Sequence, residues 1–359
     1  MVENPSMAVG VPAAAAGPAP MTVEALKCSL GRHRRHLVWV LAVLGVLVAV
    51  LAAAEVMLGN TVYPVQVVLE VLRGAQVKGA TYAIWEVRLP RLAAGLLAGF
   101  AFGVAGNTFQ TMLRNPLASP DVIGITSGAS AVAVACILVA HMGTAGASLW
   151  AVLGSAATAA TIFVLSTVGG FSIGKFILVG LGVQAFMKAV VSYLLLKGAE
   201  FDVPVALRWL NGSLSGTTMD DVSTLLVIVP LTALVMLLGR QLKVLELGDA
   251  SATALGARPL LIRVALVLCC VIMIAFCTAV TGPISCVALL AGPIATRLVG
   301  QASSSTAAAG LVGAALVLAA DLVGQYVLGT RFPVGVVTGI LGTPYLLYLL
   351  VSMNKKGSA

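Results

Sequence analysis

Two arginines stand at the start of the stretch VRLPRLAAGLLAGFAFGVAGNTFQTMLRNPLASPDVIG, residues 87–124. Arg88 and Arg91 are three residues apart, so on a helix their side chains share a face. A planar guanidinium group can hold a carboxylate through two hydrogen bonds, and the pair could therefore bind acidic groups of a partner. Arginines that extend toward water at a membrane interface are the plainer alternative. Pro90 is typical of a first helical turn, so we expect the pair to mark a helix start and to project outward.

The composition explains why two charges in one place are notable. Charged residues make up 9% and hydrophobic residues 60% of the 359 residues, and the mean hydropathy is +1.06. A soluble domain is typically about 45–50% apolar and about 25% charged, so this chain must contact lipid. The net charge is +8, but the charges fall between apolar runs and form no basic face, which argues against nucleic acid.

Cysteine and histidine give no sign of a disulfide framework or a metal site. No CxxC spacing occurs, and five of the six cysteines lie within apolar stretches. They are interpreted as small buried hydrophobic residues.

Ten apolar runs are candidates for membrane helices, which need roughly 20 apolar residues each. They are residues 37–58, 92–113, 122–140, 147–168, 176–196, 222–238, 260–280, 283–296, 307–328 and 334–351. The eighth is short and interrupted by proline, so nine is the alternative count. Because lipid requires internally satisfied backbones, the expected fold class is an all-α polytopic membrane protein. Residues 1–35 are predicted to be a disordered tail, 36–353 the membrane domain and 354–359 a second tail.

The distribution of Lys and Arg predicts the orientation of the chain. With ten spans and both termini inside, thirteen Lys and Arg residues fall in inner segments and seven in outer segments. Positive charge favours the cytoplasmic side, so both termini are predicted to be cytoplasmic. Arg88 and Arg91 then lie outside, against the general bias.

Three charged residues fall within predicted spans. Asp321 and Lys188 are deep, and Glu55 is near the outer end of the first span. Charges at such positions are costly and serve either an ion relay or an anchor between packed helices. The sequence does not separate these two roles.

The stretch GGFSIGKF, residues 169–176, nearly matches a phosphate-binding loop. Phe176 stands where that loop needs a hydroxyl group for Mg²⁺, and no buried strand precedes it. We interpret it as a short cytoplasmic turn and expect no nucleotide site in this chain.

The stretch LKVLELGDASATALGARP, residues 242–259, lies between two predicted spans on the inner side. Asp249 is a good N-cap for a short helix over Ala250–Leu255, and Gly256 suits the position after its end. An ordinary capped loop and a docking element for a soluble partner are both consistent with this pattern.

Five stretches taken together resemble one family. RLPR, GNTFQTMLRNPLASPDVIGITSGA, ALRWLNGSL, LELGDASATALG and FPVGVVTGILGTPYLLYLL occur in this order between about Trp85 and Val351. They resemble the iron-siderophore and cobalamin permease family of ABC importers. The resemblance implies a cobalamin-importer-like (type II) fold of ten helices per subunit, in the cytoplasmic (inner) membrane of a bacterium. It also implies a second permease subunit, identical or not, two cytoplasmic ATPases and an extracytoplasmic binding protein.

The resemblance also implies roles for particular residues. They are docking of the binding protein at Arg88, Arg91 and Arg331, coupling to the ATPase at Leu247, Gly248, Asp249, Ala250, Leu255 and Gly256, and a constriction of the translocation path at Ser172, Ile173 and Gly174. No cofactor is expected.

The chain departs from the family pattern at two places. Gly292-Pro293 stands where Pro-His or Pro-Gln is expected, and Gln325 where some members carry arginine, which Arg331 could partly replace. The expected function is import of a ferric siderophore. Cobalamin or haem import is the alternative within the family, and an ion-coupled secondary transporter is the alternative of another class.

Overall fold

The computed structural model describes residues 23–121, 124–169, 172–246, 248–300 and 305–357. Every element assigned within these ranges is helical. The elements are α1 (Val23–Met57), α2 (Val65–Leu72), α3 (Ala80–Tyr82), a π-helical segment (Ala83–Arg88), α4 (Leu89–Leu113), α5 (Ile125–Leu138), α6 (Thr144–Thr167), α7 (Ile173–Lys197), α8 (Val203–Leu210), α9 (Met219–Leu225), α10 (Ile228–Leu237), α11 (Gly239–Glu246), α12 (Asp249–Ala254), α13 (Pro259–Thr281), α14 (Val287–Val299), α15 (Thr306–Tyr326) and α16 (Val334–Gly357).

The helices match the ten predicted spans. Seven are long and apolar enough to cross a membrane, the pair α9–α10 counting as one, and three shorter apolar helices fall at the third, eighth and tenth predicted positions. The predicted all-α polytopic fold is therefore confirmed.

The predicted tail boundary at residue 35 is wrong for the described residues. Helix α1 already begins at Val23, and α16 continues to Gly357. Residues 24–36 contain Glu, Ala, Leu, Lys and Arg, which are good helix formers, so the helix extends beyond its apolar part. Residues 1–22 lie outside the described part.

Contacts between helices define two ends of the bundle. His36 Nε2 lies 2.9 Å from the carbonyl oxygen of Leu298, and the Arg297 guanidinium lies over the rings of Tyr345 and Tyr348. These contacts bring α1, α14 and α16 together at one end, which we call the terminal end. The end where α1 stops at Met57 and α4 starts is called the opposite end.

Helix α4 lies at the centre of the bundle because small residues let its neighbours approach. A Cβ atom on Gly99 would lie 2.8 Å from the backbone of Gly313 and Ala314 in α15, and one on Gly103 would collide with the carbonyl of Ala309. The face of α4 that carries these glycines therefore packs closely against the backbone of α15, as faces of small residues commonly do in membrane proteins.

Two helices are only about half the length of their neighbours. Helix α5 has 14 residues and α14 has 13, because each is preceded by a non-helical segment within the bundle. The described residues 114–121 precede α5 and include buried Ser119 and Pro120. Residues 282–286 precede α14, where Cys286 adopts a positive φ of 65°. Irregular backbone at this depth is tolerated where it is buried in protein or lines a cavity.

Candidate functional site: a polar cavity and the elements around it

A cavity of about 520 Å³ lies between the two irregular segments and helices α5 and α7. Such a volume is within the range of small-molecule sites. Its polar lining consists of Ser119, Asp121, Thr126, Ser127, Ser130, Gln184, Lys188, Ser192, Ser285 and Cys286. Apolar side chains supply most of the surface that is open to the cavity, and the polar groups stand among them, an arrangement typical of small-molecule sites.

Helix α7 supplies one wall through a polar stripe. Gln184, Lys188 and Ser192 are four residues apart, so they lie on one face of the helix. The Gln184 amide donates to the backbone carbonyl of Asp121 at 2.7 Å, which holds the irregular segment against α7. Lys188 and Ser192 are exposed. Sequence reasoning singled out only Lys188, although the spacing of four was a signal for the whole stripe.

The start of helix α5 forms a second wall. Thr126, Ser127 and Ser130 are all buried and share one face. The Ser127 hydroxyl donates to the Gly124 carbonyl at 2.7 Å, and the Ser130 hydroxyl donates to the Thr126 carbonyl at 2.9 Å. The hydroxyl oxygens of both serines line the cavity, and their protons are donated to carbonyls of the preceding turn.

A second cavity of about 560 Å³ adjoins the first toward the opposite end. Arg208, Ser213 and Asp220 are among its lining residues. The chain separates the two cavities where Gly212 packs against Pro283, since a Cβ atom on Gly212 would lie 2.5 Å from that carbonyl oxygen.

The charges near the opposite end form a buried cluster. Arg91 Nε and Nη2 donate to the two carboxylate oxygens of Asp321 at 2.6 and 2.7 Å. Glu55 Oε1 lies 3.5 Å from Arg91 Nε, and the Gln325 amide donates to both Asp321 and Glu55. The cluster joins α1, α4 and α15, so Asp321 and Glu55 act as packing anchors.

Arg88 closes the end of α1. Its guanidinium donates to the carbonyls of Val56 at 2.6 Å and Met57 at 3.0 Å, which are the last residues of that helix. It also donates to the carbonyl of Thr61 at 2.7 Å and stacks on Tyr63. A cation at this position satisfies the free carbonyls of a helix C-terminus and suits its dipole.

The expectation that Arg88 and Arg91 project outward is therefore wrong. Only 8% of Arg88 and 14% of the Arg91 side chain are exposed. Their partners lie far away in the sequence, on α1 and α15, and were not visible from the motif itself. Arg331 is exposed and donates to Asn60, so it does not substitute for a cation beside Gln325 in the cluster.

The departure at Gly292-Pro293 has a local explanation. Proline has no N–H, so the carbonyl of Leu289, four residues before Pro293, loses its helical donor. The Gln110 amide of α4 donates to this carbonyl at 2.9 Å. A Cβ atom on Gly292 would collide with the Gln110 side chain, so glycine provides the space. Helix α14 consequently continues through the proline.

The segment between α11 and α13 forms the predicted short helix at the terminal end. Gly256 has a φ of 82°, its N–H donates to Thr253, and the N–H of Ala257 donates to Ala252. These two bonds are a Schellman motif, as the sequence predicted from glycine at this position. The predicted N-cap was one residue late, because α12 begins at Asp249 and its N-cap is Gly248. Such one-residue shifts are common at helix ends.

The surface of this segment is open. Ala250 is exposed and 67% of Leu255 is exposed. The Arg114 guanidinium donates to the carbonyl of Leu245 at 2.7 Å, which attaches α11 to the end of α4. Leu247 lies outside the described residues.

The described residues before α7 are held by hydrogen bonds that involve Ser172 and Lys175. Ser172 caps α7 and accepts a hydrogen bond from the N–H of Lys175. The Lys175 ammonium donates to the carbonyl of Val168 at 3.1 Å, just after α6. Ser172 and Gly174 are exposed, and α7 begins at Ile173. Gly170 and Phe171 lie outside the described part.

Comparisons with known proteins agree with this architecture. A sequence model of the FecCD transport family matches residues 31–352. The ferric enterobactin transport system permease protein FepG of Escherichia coli is 39% identical over 292 residues, which cover 80% of this chain and 88% of that protein. The achromobactin transport system permease protein CbrC of Dickeya dadantii is 38% identical over 322 residues, covering 88% of this chain and 90% of that protein.

A solved structure is also similar. It is described as an inward-facing conformation of a metal-chelate type ABC transporter and matches with a TM-score of 0.78 and 25% identity, over 87% of this chain and 98% of that chain. The family match runs from α1 to α16, so it includes the cavity and the charge cluster.

Proposed function

The chain belongs to the FecCD transport family, and we propose that it is the membrane-spanning subunit of an ABC importer that carries a ferric siderophore. The named relatives support the cargo, because both are permease proteins for ferric enterobactin or achromobactin. The cavity with its polar side chains supports passage of a solute along this subunit. Cobalamin or haem import is the alternative within the family.

The observation that carries this proposal is the exposed α12 helix on a polytopic chain of a transport family. A short helix closed by a Schellman motif, with an apolar residue at its tip, suits a cleft on a soluble partner. We assign that cleft to a cytoplasmic ATPase, so that Gly248–Gly256 transmits ATP-driven closure to α11 and α13. Arg114 links the same segment to α4. The energy source is then a pair of ATPases in trans, with no nucleotide site in this chain.

Gly256→Val tests this assignment. Valine at a φ of 82° is strained although the space around the residue is open, so the end of α12 should distort. Gly300 is the matched control, because it also has a positive φ of 83° and open space, at the end of α14. In proteoliposomes with the partner subunits, Gly256→Val should lower both stimulated ATP hydrolysis and ferric-chelate uptake at least tenfold, while Gly300→Val keeps both.

Two outcomes would contradict the proposal. Wild-type stimulation of ATP hydrolysis in Gly256→Val removes the coupling role of this segment. Uptake of a ferric chelate that continues without the ATPase subunits favours an ion-coupled secondary transporter instead.

The binding protein is proposed to dock at the opposite end. Arg331, Arg73, Lys78 and Arg208 are exposed there and offer positive charge to acidic groups. Arg88 and Arg91 are buried beneath this surface, where their hydrogen bonds fix the end of α1 and the start of α4. The opposite end then faces away from the cytoplasm, and both termini are cytoplasmic in the inner membrane of a bacterium.

The translocation path is proposed to run between two permease subunits along α7. Helix α7 exposes most of its surface in this single chain, which suits a position at a subunit interface. The turn at Ser172, Ile173 and Gly174 stands at the terminal end of that helix and is the proposed constriction.

A further inference from the structure

Lys188 occupies a position that lipid does not tolerate well. It lies nine residues before the end of α7 at Lys197, a depth of about 13 Å at 1.5 Å per residue. Its side chain is exposed in this chain. A charge at the bilayer centre costs a few kcal/mol unless it faces protein or water. Lys188 must therefore face the cavity and the path, and not the acyl chains.

The charge of Lys188 is not used up by an ion pair. Among the described residues, Arg91 and His141 have a carboxylate oxygen within 4 Å of a side-chain nitrogen, and Lys188 does not. The carboxylate that lines the same cavity as Lys188 is Asp121. Asp121 accepts a hydrogen bond from Thr126 and interacts with Lys188 only through longer-range attraction.

The backbone adds to the positive potential of this cavity. Both half-length helices start beside it, since Thr126 and Ser127 of α5 and Cys286 at the start of α14 line its wall. The N-terminus of a helix carries roughly half a positive charge. Half-helices that start at the midplane commonly direct this charge at an anionic substrate. The positive charge of Lys188 and of these two helix N-termini together exceeds the single negative charge of Asp121.

We propose that Lys188 is a specificity-determining residue that contacts the cargo and favours anionic ferric chelates. The proposal rests on the proposed function and narrows its substrate class. Three catecholate groups around Fe³⁺ leave a trianion, whereas three hydroxamate groups leave a neutral complex. A lysine at mid-path lowers the electrostatic barrier for the first class and gives no advantage to the second.

The experiment measures uptake of radioactive iron, presented as a triscatecholate or as a trishydroxamate, in proteoliposomes with all partner subunits. Lys188→Met keeps the length of the side chain and removes the charge, Lys188→Arg keeps the charge, and Lys188→Glu reverses it. Lys197→Met is the matched control, because Lys197 is an exposed lysine at the end of the same helix. Stimulated ATP hydrolysis is measured in each variant to show that the complex assembles.

Triscatecholate uptake should follow the charge at position 188. We expect Lys188→Arg to stay within about twofold of wild type, Lys188→Met to fall about tenfold, which corresponds to about 1.4 kcal/mol, and Lys188→Glu to fall further. Lys197→Met should transport normally. Adding Asp121→Asn to Lys188→Met should recover part of the loss, because it removes the opposing charge from the same cavity.

Each contrary result has a definite meaning. Equal uptake in Lys188→Met and wild type, equal loss in the Arg and Met variants, or no recovery with Asp121→Asn would overturn the role of charge. Uptake of the trishydroxamate alone by wild type would overturn this inference while the proposed function stands. Wild type that carries neither chelate would overturn the ferric-chelate function itself.

Discussion

The charge cluster at the opposite end allows a prediction that separates its two carboxylates. Asp321 is completely buried, and both of its oxygens accept short hydrogen bonds from Arg91. Glu55 is also buried, but only one of its oxygens approaches Arg91, at 3.5 Å, and Oε2 has no hydrogen-bond partner among the described residues. The two side chains should therefore differ in what they contribute to stability.

Asp321→Asn keeps the shape of the side chain and removes its charge. The Arg91 guanidinium then remains buried without its bidentate partner, and breaking a buried pair in this way costs about 3–5 kcal/mol. Glu55→Gln instead keeps the shape of that side chain and leaves the bidentate pair of Asp321 and Arg91 intact. We expect it to change the free energy of unfolding by no more than about 1 kcal/mol in either direction.

The assay is reversible unfolding of the purified permease in mixed detergent micelles, with increasing denaturing detergent. Asp202→Asn serves as the Asp-to-Asn control, because Asp202 pairs with His141 at the surface, where ion pairs contribute about 0–1 kcal/mol. Equal losses in Asp321→Asn and Glu55→Gln would show that Arg91 does not distinguish its partners. A larger loss in Glu55→Gln would refute the anchor role assigned to Asp321.

Two further predictions concern the end of α4 and the path. Gln110→Met should lower the free energy of unfolding by about 1 kcal/mol in the same assay, because the half-buried Leu289 carbonyl loses its donor. An unchanged stability would show that another group satisfies it. Ser172→Cys, in a chain without its native cysteines, should crosslink across the two permease subunits in one nucleotide state and not in the other. Crosslinking that does not depend on the nucleotide would count against a constriction at this turn.

The spans could be predicted from the sequence because lipid imposes one strong rule. Every backbone group in the bilayer must be satisfied within its own helix or within the protein, so apolar runs of helical length become helices. The rule does not fix where a helix stops once it leaves the lipid. Residues 24–36 carry several charges, yet α1 includes them, since helix propensity continues where hydropathy ends.

The partners of the arginines could not be read from their own motif. Glu55 and Asp321 were recognised as costly charges inside spans, but not as partners of Arg91. The distance of each charged residue from the end of its helix would have shown that the three could pair. Glu55 lies two residues before the end of α1, Asp321 five residues before the end of α15, and Arg91 two residues after the start of α4. All three ends meet on the same side in a ten-helix bundle, and buried charges must pair.

Four long polar side chains outside the cavity and the charge cluster share one physical task. Each satisfies backbone carbonyls where a helix ends or is interrupted. Arg88 donates to the carbonyls at the end of α1, and Gln110 donates to the carbonyl freed by Pro293. Arg114 donates to a carbonyl near the end of α11, and Lys175 donates to one just after α6.

This pattern follows from the membrane environment, because a helix end buried in or near lipid has no water to hydrogen-bond. A long side chain from a neighbouring helix then becomes the donor, and it joins two helices as it does so. Lys188 does not fit this pattern. It caps no helix and pairs with no described carboxylate, and it lies in the middle of a regular helix. A charge that is held at such a depth by no helix cap and no ion pair is best explained by the solute that passes it.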